Sequence, residues 1–235
     1  MIRSLSRKKP WGAVTLVAVL VVPLLSCFVC RPLLNSVWYK MSCGGFGIVG
    51  DRFLVESLGI EYHAPRRGFP IEDLLLDESA FPEGWRAQEP FDPHNGLPAE
   101  QIALTLFPDA SACPSSLMTG HDVYRFYGGE RCADMGHRSE TPIWFAPWPG
   151  CGPWSVPTDL PHQSPLTDRF RVECCTGQGS TVQTCQAVAR YEEYVVRFHT
   201  SIDPEHPECM SFADLERILV AIDERMAVYL GEEMR

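Results

Sequence analysis

The sequence lacks the short motifs by which common catalytic sites are recognised. No serine lies in a G-x-S-x-G turn, so the exposed nucleophile of a serine hydrolase is not indicated. No two histidines are spaced H-x-x-x-H, and the pair His206-x-x-Cys209 supplies too few ligands for a tetrahedral zinc site. The sequence therefore predicts neither a metal nor a cofactor. Because an active site assembled in space is invisible here, a hydrolase with a carboxylate- or histidine-based site stays as the alternative to a binding domain.

Beyond residue 30 the chain is also short of basic side chains. The whole chain has 20 Lys or Arg and 30 Asp or Glu, and its first 30 residues hold four of the basic side chains and no acid. The remainder, with 16 basic and 30 acidic side chains, has a net charge of −14. Such a surface repels phosphate backbones and anionic lipid headgroups, so nucleic acid is excluded as an expected partner.

A long apolar run stands at the N-terminus. Residues 11–30 contain no charged side chain, and a helix of this length spans about 30 Å, the thickness of the hydrocarbon core of a bilayer. The basic side chains that precede the run tend to stay in the cytoplasm. We therefore predict a cytoplasmic tail over residues 1–10, a single transmembrane signal anchor over residues 11–30 and an extracytoplasmic body.

Two alternatives for this run stay open. Leu24-Leu25-Ser26-Cys27 resembles a lipobox, which would make Cys27 the lipidated residue of a lipoprotein. The run could also be a signal peptide that is removed, although a small-x-small cleavage site is not clear. All three possibilities place residues 31–235 outside the cytoplasm and attach the chain, at least during its synthesis, to the cell membrane.

Eight cysteines follow the apolar run, an even number in a compartment that we expect to be oxidising. They are predicted to form disulfides, with a connectivity that the sequence leaves open. One local pair is favoured, because residues 169–176 and 182–191 form a predicted hairpin that places either Cys174 or Cys175 opposite Cys185. The eight candidates are Cys43, Cys113, Cys132, Cys151, Cys174, Cys175, Cys185 and Cys209.

The body is predicted to be one domain over residues 69–235, joined to the anchor by a linker over residues 31–68. Its C-terminal third carries the clearest pattern, with three strands of an antiparallel meander between residues 169 and 202. Residues 211–230 form an amphipathic helix whose apolar stripe should close the core, with Asp223 on the opposite, polar face. The predicted class is α+β: an antiparallel sheet packed by a C-terminal amphipathic helix, plus one N-terminal transmembrane helix.

Residues 141–165 are unusually rich in proline and tryptophan. They contain seven prolines, which argue against a regular helix or strand, and three tryptophans: Trp144, Trp148 and Trp154. Long irregular loops in compact domains are often functional, and indole rings offer a large rigid contact area. The loop is therefore our candidate for contact with a protein partner or a small molecule. The alternative is that the tryptophans pack on the sheet.

The order of elements carries a resemblance. A short helical entry ends in F-P-E-G-W at residues 81–85, and strands then lead through A-V-A-R-Y-E-E-Y-V-V at residues 187–196 to a capped helix. Over residues 70–230 this order resembles membrane-anchored or lipoprotein extracytoplasmic domains of bacteria, some of them sensor-like and some with the α/β sandwich of the PsbP and Mog1 proteins. The resemblance implies an antiparallel sheet flanked by helices, and it implies no catalytic residues.

The predicted topology can be tested directly. Protease added to intact spheroplasts should remove the body, because residues 31–235 are expected on the outside. An epitope at the N-terminus should survive the same treatment until detergent is added. Full protection of the body in sealed spheroplasts would reverse the predicted orientation.

Overall fold

The structure is a computed structural model that describes residue 43 and residues 67–93, 99–109, 111, 113–114, 117–147, 150–167 and 169–231. The chain divides into two compact units, Met1–Trp38 and Tyr39–Arg235, and every described residue belongs to the second. The predicted anchor, with Cys27, lies outside the described residues, as does Trp148. Within the described ranges, no helix is both long and apolar enough to cross a bilayer.

Six antiparallel strands form one sheet in the order β1-β2-β3-β6-β5-β4. All neighbouring pairs in it are antiparallel. The strands are β1 Trp85–Ala87, β2 Ala99–Pro108, β3 Thr119–Phe126, β4 Arg169–Thr176, β5 Gln183–Tyr191 and β6 Tyr194–Ile202. The predicted meander is confirmed as β4, β5 and β6. The antiparallel sheet and the C-terminal helix of the predicted fold class are present.

The first face of the sheet carries the larger core. Side chains alternate along a strand, so Val123, Val196 and Phe198 share this face, and each is at most 2% exposed. Two short 3₁₀ turns lie against strands β1, β2 and β3. They are Ile71–Leu74 and Glu78–Ala80. The C-terminal helix α2, Phe212–Gly231, packs on β5 and β6 through Leu219 and Ile222.

The second face is partly covered by helix α1, Gly129–Trp144, which packs on β3, β5 and β6. The expectation that residues 141–165 hold no helix is wrong at their start, because α1 continues through Pro142 to Trp144. The fixed φ of proline suits a helix, and its missing N–H removes one hydrogen bond only two residues before the last helical residue. The remainder of this loop, as far as it is described, contains no helix or long strand.

Helix α2, Phe212–Gly231, begins with the predicted cap. The Asp214 N–H donates to Ser211 Oγ at 3.2 Å, and the Ser211 N–H donates to Asp214 Oδ2 at 3.0 Å, which is a capping box with aspartate in place of glutamate. The predicted apolar stripe is buried at Leu215, Ile218, Leu219, Ile222 and Met226.

The prediction that Asp223 lies on the polar face of this helix is wrong, since Asp223 is only 5% exposed. Helical periodicity places it at the border of the apolar stripe. Its carboxylate tolerates burial because the hydroxyl groups of Ser164 and Tyr191 donate to it.

All eight predicted cysteines are joined as four disulfides: Cys43–Cys132, Cys113–Cys209, Cys151–Cys175 and Cys174–Cys185. Cys174 is therefore the member of the adjacent pair that faces Cys185, directly across β4 and β5 with their Cα atoms 4.0 Å apart. Neighbouring residues of a strand point to opposite faces, so Cys175 turns the other way and binds Cys151.

Two residues of the predicted linker contact the body. Cys43 is bonded to Cys132 of α1. Arg67 donates to both carboxylate oxygens of Glu193, from Nε at 2.7 Å and from one terminal nitrogen at 2.8 Å. The side chains of Arg67 and Glu193 are 6% and 0% exposed. This buried bidentate pair therefore ties the chain before Phe69 to the β5–β6 turn.

Helix α2 supplies a test of the core. Ile222→Asp should lower the free energy of unfolding by at least about 3 kcal/mol, because it loses apolar burial and buries a new charge at a position that is 4% exposed. Val228→Asp is the matched control on the same helix, where the side chain is 56% exposed, and it should change stability by less than about 0.5 kcal/mol. Chemical denaturation measures both. Equal losses would show that the helix packs through a different face.

Candidate functional site

Beside the apolar residues on which α1 packs, the second face carries polar side chains from the middle of the sheet. Asp122 of β3 lies opposite Arg197 of β6, and His199 of β6 lies opposite Gln186 of β5. All four side chains project from the same face, because opposite residues of antiparallel strands share a face and residues two apart on β6 do as well. We call these four residues the polar half-face.

Arg197 connects the members of the polar half-face. Its Nε and one terminal nitrogen donate to Gln186 Oε1, at 3.2 and 2.9 Å. Its other terminal nitrogen lies 3.6 Å from Asp122 Oδ2, which also accepts from the Tyr124 hydroxyl at 3.3 Å. The guanidinium and the carboxylate thus offset each other, and the cluster has no large net charge at neutral pH.

Burial sets the protonation of the cluster. It raises the pKa of the Asp122 carboxyl, against the opposing effects of the Arg197 charge and the Tyr124 hydrogen bond. Burial, and then the nearby Arg197 charge, lower the pKa of His199 to about 4, so its imidazole is neutral at pH 7. The His199 ring lies directly on the backbone of Gly120, where a Cβ would come within 2.1 Å of Cε1. Glycine is thus required beneath this ring.

Two polar atoms of the cluster are shielded from solvent but lack a hydrogen-bond partner in the described part of the chain: Gln186 Nε2 and His199 Nδ1. Gln186 is only 2% exposed, although its Oε1 is fully engaged by Arg197. A buried donor without an acceptor costs about 1–3 kcal/mol, and this makes the Gln186 amide a candidate donor to a ligand.

The structure places two of the three predicted tryptophans. Trp144 is 9% exposed, stacks on Tyr124 at 5.8 Å between ring centroids, and has the Arg197 guanidinium 5.6 Å from its ring. It therefore packs on two residues that contact Asp122. Trp154 is half-buried, donates from Nε1 to the Ala146 carbonyl at 3.1 Å and meets the Phe145 ring edge-on. Their use by a ligand stays a prediction.

A second polar cluster surrounds Asp223 on the first face. Its Oδ1 accepts from the Tyr191 hydroxyl at 2.6 Å and from the Ser164 hydroxyl at 2.5 Å. His162 Nε2 lies 3.3 Å from Oδ2, but the contact does not have hydrogen-bond geometry. Burial of Tyr191, together with its hydrogen bond to Asp223 and the charge of that carboxylate, raises the pKa of Tyr191 far above its usual range. The Tyr191 hydroxyl therefore stays a donor. The cluster joins α2, β5 and the proline-rich segment.

The Asp223 cluster has the residue types of a catalytic triad but not its connections. In a triad the histidine accepts the serine proton, and the aspartate orients the histidine. Here Ser164 donates to Asp223 itself, and it also accepts from the Leu166 N–H at 3.3 Å. The arrangement therefore serves as a structural joint rather than as an activated nucleophile.

The other candidates from the sequence take structural positions. Cys209 forms a disulfide with Cys113, so it is not a thiolate ligand beside His206. Across the described ranges, no three His, Cys, Asp or Glu side chains are grouped to hold a metal ion. The polar half-face was not predicted from the sequence. The signal was present as Arg197 and His199, two polar residues at alternate positions of a strand that also carries Val195, Val196 and Phe198.

No protein-family model matches the chain, and no curated protein matches it at a significant level. Among solved structures, the chain is similar to the extracellular domain of PknH from Mycobacterium tuberculosis, with a TM-score of 0.47 and 10% sequence identity. This similarity covers 69% of the present chain and 99% of the other. At this level it assigns neither a function nor site residues to the present chain.

The buried histidine gives the site a measurable pH dependence. The pKa of His199 is about 4 in the folded chain and 6.5 in the unfolded one, so only the unfolded chain gains its proton between these values. This effect removes roughly 2–3 kcal/mol of stability as the pH falls from 7.5 to 4.5. His199→Phe should shrink the loss of stability over that range by this amount, as measured by denaturation at both pH values.

The matched control is His206→Phe, at a turn where the histidine side chain is 43% exposed. It should leave the acid dependence as in the wild type. Part of the dependence persists in both variants, because burial also lowers the pKa of His121 to about 3 and that of His137 to about 4. An unchanged acid dependence in His199→Phe would show that His199 is not buried as a neutral group.

Proposed function

We propose that this protein is a membrane-anchored, extracytoplasmic binding domain whose ligand occupies the polar half-face. The observation that carries the proposal is the Gln186 amide, which is buried, held in place through its oxygen by Arg197, and left with an unpartnered donor nitrogen. Oriented polar groups on a rigid sheet bind small molecules without a large ordering cost. Asp122, Arg197 and His199 add an acceptor, a donor and a group that can be either.

The chemistry of the cluster favours a small polar ligand without net charge. Since Arg197 and Asp122 offset each other, neither an anion nor a cation gains a large electrostatic advantage. Hydroxyl or amide groups can accept from Gln186 and donate to Asp122, as the groups of a sugar would. Trp144, which packs against Arg197, provides a flat apolar border for a ring.

Placement outside the cytoplasm is supported by two features of different origin. The apolar run at residues 11–30 with its preceding basic side chains has the pattern of a signal anchor. The four disulfides are of the kind that persist in oxidising compartments. A hydrolase is the less favoured alternative, because the His162–Asp223–Ser164 cluster lacks the contacts that would activate a nucleophile.

The proposal can be tested by isolating the protein with its ligand. Native mass spectrometry of the full chain, extracted from source membranes in mild detergent, should show an additional small-molecule mass. Gln186→Glu should lose that mass, because it keeps the oxygen that binds Arg197 but removes the donor nitrogen. Its thermal midpoint should stay within a few degrees of the wild type. The new carboxylate is buried but accepts from Arg197, and an unpartnered donor that costs about 1–3 kcal/mol is removed.

Gln88→Glu is the matched control, because it makes the same chemical change at an exposed residue after β1. It should retain the small-molecule mass. Retention of the ligand by Gln186→Glu, or a wild-type protein that carries no ligand and binds none from a panel of neutral sugars, would overturn the assignment of the polar half-face.

A further inference from the structure

Strand β4 is at the edge of the sheet, so one side of its backbone faces away from β5. The C-terminal half of this outer side is covered by the chain itself. Cys174 exchanges two hydrogen bonds with Ser155, at 2.9 and 2.8 Å, and the Thr176 carbonyl accepts from the Gly152 N–H at 2.8 Å. Residues 150–155 therefore act as a short antiparallel strap on β4.

The strap ends because of a proline. Continuing its register from the Ser155–Cys174 bridge, residue 157 would lie opposite Val172 and residue 159 opposite Phe170. Residue 157 is Pro157, which has no N–H to donate to the Val172 carbonyl. The chain leaves the edge there, and within the described ranges no backbone hydrogen bond reaches the outer side of Phe170 or Val172.

The backbone N–H and carbonyl groups of Val172 and Phe170 point outward like those of Cys174, because these residues are two and four positions before it. Within the described residues, the N–H and carbonyl groups of Phe170 and Val172 thus have no backbone hydrogen bond. They border a cavity of about 500 Å³ between β4 and residues 156–167. Its walls are apolar at Val156, Leu160 and Phe170, and His162 and Gln163 supply polar groups.

We propose that the outer edge of β4 at Phe170–Val172 binds an extended peptide segment of a partner protein, which continues the strap and places one apolar side chain in the cavity. Free backbone groups in strand register are chemically specific for another backbone. A second copy of this chain fits less well, because residues 156–167 flank the free edge and would obstruct a second sheet. The net charge of −14 on the body favours a neutral or basic peptide.

The probe is a synthetic seven-residue peptide of alternating threonine and valine with lysine at both ends. Hydrogen–deuterium exchange of the full chain in detergent micelles is read residue by residue. In the free chain the Phe170 and Val172 amides should exchange rapidly, while those of Arg171 and Glu173, which face β5, are protected. The probe should slow exchange at Phe170 and Val172 by about tenfold or more when it is near saturation.

Two matched comparisons isolate the backbone contact. Val172→Pro removes the outward N–H and should weaken probe binding about tenfold, whereas Val172→Ala keeps the N–H and should bind within about threefold of the wild type. In the second comparison, which does not depend on how the variants fold, N-methyl groups are placed on alternate residues of the probe. One of the two methylation patterns should abolish binding, and the other should retain it.

Equal binding of both methylated probes, or equal binding by Val172→Pro and Val172→Ala, would overturn the proposal. Slow exchange at Phe170 and Val172 without the probe would also overturn it. If this protection is independent of protein concentration, the chain itself covers the edge. If the protection increases with protein concentration, a second copy covers it. The site is separate from the polar half-face. Gln186→Glu should therefore bind the probe like the wild type, so the two proposals fail independently.

Discussion

The alternation of side chains along the interior strands of the sheet is the constraint on which this structure depends. Strands β3, β5 and β6 lie in the interior of the sheet, so each successive residue must suit a different environment. On the first face, Val123, Val196 and Phe198 meet the helix α2 and the 3₁₀ turns in an apolar core. On the second face, Tyr124, Val188 and Val195 meet α1 in a smaller apolar core, beside the polar half-face.

Several charged groups are buried with a partner from a segment that is distant in the chain. Arg67 and Glu193 join the chain before Phe69 to the β5–β6 turn. Asp223 holds the proline-rich segment to α2 and β5 through Ser164 and Tyr191. Buried pairs of this kind contribute little net stability compared with apolar residues, but loss of one partner is costly. They therefore fix which segments meet.

Local patterns in the sequence predicted the elements well and the site poorly. Period-two alternation and the Ser211 cap predicted the meander and α2, because these signals depend on neighbouring residues. The polar half-face depends on β3 pairing with β6 across more than 70 residues, and alternation within one strand does not specify its partner. Asp223 was misplaced for a related reason, since only the fold brings Ser164 and Tyr191 to its carboxylate.

The adjacent cysteines show how one local rule arranges both sides of an edge strand. Because Cys174 and Cys175 point to opposite faces, Cys174 can bind β5 through Cys185 while Cys175 binds the strap through Cys151. The strap is thus fixed at one end of β4. The hydrogen bond from Ser164 to Asp223 fixes the other end of residues 156–167. Between these two attachments Pro157 prevents further pairing. The free backbone at Phe170 and Val172 follows from the fold itself, and a partner peptide would complete the strand that Pro157 interrupts.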